Sequence, residues 1–84
     1  MHIQVLTPTG KLFDGDCTAV HVPGSGGQFE ILKNHAAIVS SLDAGEVRIM
    51  MSDGTQKTLS IESGFVEVLK NEVALLITLA EVSA

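Results

Sequence analysis

The chain has no tryptophan or tyrosine, three phenylalanines and a single cysteine, Cys17. Because one cysteine forms no internal disulfide, the sequence is not that of a disulfide-stapled secreted domain. Basic residues are also scarce, since five Lys and Arg stand against ten Asp and Glu. The net charge of −5 argues against binding to the phosphates of nucleic acid or to an anionic membrane surface.

Long apolar runs are missing as well. The longest, near residues 73–80, is far short of the roughly 20 residues that a membrane helix needs. The first residues, Met1–Gln4, lack the basic start and the apolar block of a signal peptide. The sequence therefore predicts a soluble cytoplasmic chain with no direct membrane insertion, which reaches a membrane only through a partner.

Aliphatic residues dominate what is present. Apolar residues make up 45% of the 84 residues and aromatic residues 4%, so a core must come from Val, Ile and Leu. A domain of this size buries about 60–65% of the surface of its unfolded chain. No linker, repeat or low-complexity segment divides the sequence, which predicts a single domain over residues 1–84.

Turn-forming residues recur at short intervals, and the segments between them alternate apolar and polar side chains. Val47 and Ile49, for example, alternate with Glu46 and Arg48. The predicted turns lie at Pro8–Gly10, Asp14–Gly15, Pro23–Gly27, Asp43–Gly45, Asp53–Gly54, Ser63–Gly64 and Lys70–Asn71. Period-two alternation at this spacing predicts an all-β fold, a two-sheet antiparallel β-sandwich that is flattened and barrel-like.

Two segments leave alternatives open. Residues 34–42 fit a short helix capped by Asn34 as well as a strand. The last hairpin, residues 65–69 and 73–79, is apolar on both parities, which is typical of strands buried on both faces. Either something outside the chain covers its outer face, or loops and strand ends of the chain itself bury it.

The sequence gives only weak evidence for a phosphate-binding or catalytic site. The Gly24–Gly27 loop leads into Gln-Phe-Glu rather than the Gly-Lys-Ser/Thr and helix that hold a phosphate. Asp14 and Asp16 flank a glycine and read as a solvated turn rather than as a catalytic carboxylate pair. Cys17 and His21 share a strand face but lie on the order of 13 Å apart, too far for a thiolate–imidazole pair.

The remaining histidines and lysines assemble no site. The three histidines are scattered and, with one cysteine, show no metal-ligand spacing. Biotinyl and lipoyl carrier domains present a lysine at a hairpin tip beside Met or Ala, whereas Lys33, Lys57 and Lys70 have other neighbours. We therefore expect no enzyme, no cofactor and no metal.

The order of several motifs along the chain supports a more specific interpretation of the sequence. Residues 22–49 read VPGSGGQFEILKNHAAIVSSLDAGEVRI: a Pro-Gly turn, a small-residue loop, an apolar segment ending in His-Ala, and Gly-x-Val-Arg-Ile. Residues 7–15 and 64–73 have the form of an opening and a closing hairpin. Together these pieces resemble the amino-terminal domain of the epsilon subunit of F-type ATP synthases over nearly all 84 residues.

The resemblance implies a β-sandwich with a strand in the ambiguous segment. It also implies a non-catalytic rotor subunit of the central stalk, which couples rotation of the c-subunit ring to the gamma subunit. The expected partners are gamma and the c ring, at the cytoplasmic face of the energy-transducing inner membrane. The alternative is an independent small β-sandwich that acts as a binding or carrier module.

The resemblance places the partner-interface residues around the His-Ala pair. They are Glu30, Leu32, Lys33, Asn34, His35, Ala36, Ala37 and Ile38. Family members often have proline where Lys33 and Ala37 stand, so this loop has fewer backbone restraints here. Many members also continue into a carboxy-terminal helical hairpin that senses ATP; the present sequence shows no such hairpin, and we expect no ATP binding and no hairpin-type inhibition.

Overall fold

A computed structural model describes residues 1–80, and those residues form seven β-strands without a helix. The strands are His2–Thr7 (β1), Gly10–Gly24 (β2), Gly27–Leu32 (β3), Ile38–Leu42 (β4), Gly45–Met51 (β5), Gln56–Leu69 (β6) and Glu72–Leu79 (β7). The all-β prediction is confirmed. The last four residues of the predicted domain, 81–84, lie outside the described part.

Two long strands, β2 and β6, connect two layers. In the first layer the order is β4, the second half of β6, β7, β1 and the first half of β2. In the second layer the order is the first half of β6, β5, the second half of β2 and β3. The predicted two-sheet sandwich with barrel-like closure is confirmed. One strand pair, β1 with β7, is parallel, whereas the other pairs are antiparallel.

The core lies between the layers and is aliphatic apart from Cys17. Its fully buried residues alternate with exposed ones, as in β5, where Val47 and Ile49 are buried and Arg48 is exposed. This alternation arises because successive side chains of a strand point to opposite faces. Among the described residues, no charged or polar side chain is buried, so hydrophobic burial is the main stabilising term.

Two predicted turns are wrong. Asp14–Gly15 and Ser63–Gly64 lie inside β2 and β6. At Gly15 a Cβ would lie 2.9 Å from Met51 Cε, the end of a flexible side chain that can move aside. Gly64 serves close packing instead, since a Cβ there would lie 2.6 Å from the Leu76 carbonyl oxygen. Glycine within a strand often marks such an approach of a neighbouring chain segment.

The ambiguous segment is a turn followed by a strand. Lys33 and Asn34 form the turn, and β4 begins at Ile38. Residues 38–42 pair antiparallel with residues 64–68 of β6. The strand alternative is therefore confirmed, because pairing with β6 outweighs the local helical spacing.

Candidate partner interface

The predicted interface segment spans the connection between β3 and β4 at one end of the sandwich. Leu32 ends β3 with half of its side chain exposed, and the three residues after Asn34 lead into β4. Lys33, Asn34, Ala36 and Ala37 are exposed, whereas His35 is half-buried. The structure thus brings residues 32–37 together as one short, solvent-facing segment.

Glu30 and Ile38 stand apart from the rest of this set. Glu30 lies on the outer surface of the second layer, opposite His21, whose other cross-strand neighbour is Arg48. These three side chains line a shallow groove. Ile38 is half-buried and packs against the core. Glu30 therefore borders the segment, and Ile38 anchors its far end.

Local hydrogen bonds shape the segment. The backbone N–H of His35 donates to the Leu32 carbonyl at 3.1 Å. The Nδ1 atom of His35 lies 2.8 Å from the Ala36 carbonyl oxygen, and because a carbonyl only accepts, this contact places the proton on Nδ1. Asn34 adopts the left-handed backbone conformation at φ 65°, which asparagine tolerates better than most residues.

A second turn lies at the same end of the molecule. Lys70 and Asn71, both with positive φ (50° and 62°), connect β6 to β7. The side chain of Asn71 is hydrogen-bonded to Asn34. Sequence reasoning identified a turn here but had no signal for its contact with the interface segment, since the two asparagines are 37 positions apart.

The first layer carries an apolar surface, here called the outer face, which consists of half-buried Leu6 and exposed Val39, Phe65, Leu69 and Leu76. The exposed fractions of the last four are 73%, 58%, 51% and 46%. Phe65 lies opposite Leu76, and Leu76 lies opposite Leu6, so three strands contribute to one apolar row. Exposed Glu67 lies between Phe65 and Leu69 on the same face of β6 and opposite Val39, so the outer face also carries one carboxylate. Exposed apolar side chains grouped in this way mark sites that contact other molecules.

The outer face explains why the last hairpin is apolar on both parities. One set of side chains, such as Val66 and Leu75, is fully buried in the core, and the other set forms the outer face. Burial by the chain's own loops, one of the two alternatives for this hairpin, is wrong for Phe65 and Leu76. Val39 was not expected on this surface because it lies in the segment whose structure the pattern left open.

The two aspartates near Gly15 engage separate partners. Lys11 Nζ donates to Asp14 Oδ2 at 2.6 Å, and this hydrogen bond and charge hold the pKa of Asp14 below its ordinary value. Asp16 Oδ1 lies 3.9 Å from His2 Nδ1. Both aspartates are exposed on a strand, so they form no enclosed pair for acid–base catalysis.

Other titratable groups with shifted pKa values are also structural. Burial raises the pKa of the Cys17 thiol, which is 1% exposed. The backbone N–H of Thr55 donates to Asp53 Oδ1 at 2.8 Å and lowers the pKa of that carboxyl. Neither group lines a cleft that would make it a catalytic candidate.

The glycine-rich loop is a tight hairpin. Strand β2 ends at Gly24 and β3 begins at Gly27, with Ser25 and Gly26 between them. Ser25 Oγ donates to Asp43 Oδ1 at 3.0 Å and accepts from Ser41 Oγ at 2.9 Å. The loop therefore joins two strands and secures a neighbouring turn.

Within residues 1–80, no three His, Cys, Asp or Glu side chains are grouped so that they could hold a metal ion. In the same part of the chain, no helix is long and apolar enough to cross a membrane.

Fold and surface together define a small β-sandwich with an exposed apolar face, a class suited to contacts with other proteins. Residues 1–83 match the family model of the β-sandwich domain of the ATP synthase delta/epsilon chain. The chain is 40% identical over 74 residues to the ATP synthase epsilon chain of Campylobacter lari and 39% identical over 74 residues to that of Chlorobium limicola. The chain belongs to this delta/epsilon family.

The extent of these matches differs. The Campylobacter lari match covers 88% of this chain and 57% of the relative, whereas the Chlorobium limicola match covers 88% and 84%. The chain thus spans little more than half the length of the first of these relatives. A chain in the cryo-EM structure of the Euglena gracilis mitochondrial ATP synthase superposes with a TM-score of 0.83 at 17% identity, covering 89% of this chain and 48% of that one. That similarity confirms the fold.

Proposed function

We propose that this chain is a non-catalytic rotor subunit in the central stalk of a proton- or sodium-translocating F-type ATP synthase. It couples rotation of the c-subunit ring to the gamma subunit. The proposal treats residues 1–84 as one β-sandwich domain, held peripherally at the cytoplasmic face of the energy-transducing inner membrane through the complex. Family membership over residues 1–83 supports this role, and the exposed outer face is the structural observation that carries it.

The outer face is the proposed contact with gamma. Specific protein interfaces bury upwards of about 1,000 Å² in total, and their centres are rich in aromatic and aliphatic side chains. Phe65 and its neighbours meet that description, and strands β4, β6, β7 and β1 present them together. Packed β-sandwich interiors deform little, so a face built on buried Val66 and Leu75 suits the transmission of torque.

The interface segment is the proposed contact with the c ring. Its members are Glu30, Leu32, Lys33, Asn34, His35, Ala36, Ala37 and Ile38. Residues 32–37 form its centre, because they are exposed together at one end of the sandwich. A short segment of mixed polarity gives a modest interface, which fits a contact that supplements the larger one with gamma.

One structural feature supports the alternative, an independent binding or carrier module. Lys70 lies at the tip of the β6–β7 hairpin, where carrier domains present their modified lysine. Yet the neighbouring Asn71 is hydrogen-bonded to Asn34 and to the backbone of His2. Lys70 is flanked by Leu69 and Asn71 rather than by the Met or Ala of carrier domains, which favours the rotor role.

Co-purification from membranes separates the two functions. The chain is tagged, expressed in its source cell and recovered from membranes solubilised in mild detergent, and every accompanying protein is identified by mass spectrometry. The proposal predicts recovery of gamma, the c ring and the catalytic head. Recovery of the chain alone, or carrying a covalent lysine modification, would contradict it.

A further inference from the structure

Two asparagines far apart in the sequence, Asn34 and Asn71, form two hydrogen bonds with each other at the end of the sandwich. This pair of hydrogen bonds is here called the clasp. The backbone N–H of Asn34 donates to Asn71 Oδ1 at 2.7 Å, and Asn71 Nδ2 donates to Asn34 Oδ1 at 3.1 Å. Since a backbone N–H only donates, the first bond determines which atom of the Asn71 amide is the oxygen. The second bond then follows with the correct donor and acceptor. The contact is therefore reciprocal.

The residue type matters at both positions. Asn34 and Asn71 have positive φ, at 65° and 62°, and glycine would satisfy the backbone there with less strain. Glycine has no side chain, however, and would leave the two turns unconnected. Asparagine combines tolerance of the left-handed conformation with an amide group that donates and accepts.

The two asparagines differ in how firmly the surrounding backbone is held. Asn71 lies in a two-residue turn between paired strands, and its carbonyl accepts a hydrogen bond from the His2 backbone N–H at 2.9 Å. Asn34 lies in the connection of residues 33–37, which contains no proline and is not part of any strand. The two side-chain hydrogen bonds therefore connect a turn between paired strands to a segment outside the strands, whose other hydrogen bonds, those of His35, are local.

We infer that Asn71 is a positioning residue for the interface segment: its side-chain amide holds residues 33–37 in the conformation presented to the partner. This inference rests on the proposed function, in which that segment contacts the c ring. Holding a loop in its bound conformation before binding lowers the entropy lost on association. The surface that recognises the partner thus includes a residue that need not touch it.

The test uses a glycine at position 71. The N71G variant keeps the left-handed backbone and removes the amide group, so the hairpin persists without the clasp. K70G is the matched control, because Lys70 is the other left-handed residue of the same turn and takes no part in the contact. Amide hydrogen exchange of Asn34 is measured in the free chain by NMR. Affinity is measured against ATP synthase stripped of its own copy of this subunit.

We expect N71G to accelerate exchange of the Asn34 amide and to weaken binding about 3- to 10-fold, the scale of one net hydrogen bond. K70G should change neither quantity. Equal Asn34 exchange in N71G and K70G would overturn the inference whatever the affinities are.

Segment variants separate this inference from the proposed function. Suppose that N71G accelerates exchange of the Asn34 amide but leaves the affinity for ATP synthase unchanged, whereas H35A lowers that affinity. The positioning role of Asn71 is then overturned, and the proposed interface stands. If neither N71G nor H35A changes affinity, the proposed interface is overturned, and the inference with it.

Discussion

Phe65 on β6 lies directly opposite Leu76 on β7, and both side chains are about half exposed although their chain neighbours, Val66 and Leu75, are fully buried. One strand pair thus contributes to the core with one parity and to the outer face with the other. Because the buried set fixes the backbone, the exposed set is held in a defined arrangement. This arrangement is what the proposed contact with gamma requires.

Gly64 controls how closely β6 and β7 approach. A Cβ at this position would lie 2.6 Å from the Leu76 carbonyl oxygen, so a Gly64→Ala substitution must separate the strands. We expect a loss of about 1–3 kcal/mol in the free energy of unfolding, measured by urea denaturation. Gly26→Ala is the control, because a Cβ there meets no atom within 4 Å. Equal stabilities of the two variants would contradict the packing role of Gly64.

Cys17 makes stability depend on alkaline pH. Burial raises the thiol pKa above its ordinary value of 9.0, so the thiol ionises first in the unfolded chain as the pH rises. The unfolded state then binds fewer protons than the folded state, and stability falls above about pH 9. Urea denaturation at pH 7, 9 and 10 should show a steeper loss for the native chain than for Cys17→Ala. Parallel curves would refute the assignment.

Asp53 makes the folded state less stable as the pH falls into the acid range, whereas Cys17 makes it less stable as the pH rises. Its pKa is lowered by the N–H of Thr55, so its contribution is present above its ordinary pKa of 3.8 and is lost as the pH falls through the lowered value. Asp53→Asn keeps an acceptor oxygen for Thr55 without titrating, whereas Asp53→Ala removes the acceptor. We expect Asp53→Ala to be less stable than Asp53→Asn at pH 7, and thermal unfolding of both from pH 7 to 2 to show Asp53→Asn less acid-sensitive than the native chain.

The isolated 84-residue chain should not bind ATP. The Gly24–Gly27 loop joins two strands, so it lacks the helix N-terminus whose amides hold a phosphate. Titration calorimetry with Mg-ATP should give only the heat of dilution. A saturable binding isotherm would show that this expectation is wrong.

Much of the fold was predictable because alternation is a local signal. Val47 and Ile49 point inward for the reason that their pattern indicated, and the turn at Lys70–Asn71 lies where it was expected. The predicted turns at Gly15 and Gly64 were wrong because glycine also occurs inside strands, at Gly64 where the β7 backbone approaches closely. A short window of sequence does not distinguish the two uses.

Contacts between distant segments were beyond the pattern. The parallel pairing of β1 with β7 joins the first strand to the last, and no local periodicity encodes it. The Asn34–Asn71 clasp is of the same kind, since each asparagine is an ordinary turn residue by itself. The outer face was half predictable: the last hairpin indicated Phe65 and Leu76, whereas Val39 became part of it only once β4 had paired with β6.

The central claim is that the chain docks in an ATP synthase through its outer face, and one binding measurement tests it most directly. Phe65→Glu places a charge in that face, whereas Met50→Glu places one on the exposed surface of the other layer, where Met50 is 37% exposed. Both variants are first shown to be folded and then titrated against ATP synthase stripped of its own copy of this subunit. Because an unpaired charge in the centre of an interface is costly, we predict at least about 10-fold weaker binding for Phe65→Glu and native affinity for Met50→Glu. Equal affinities of the two variants would contradict the account.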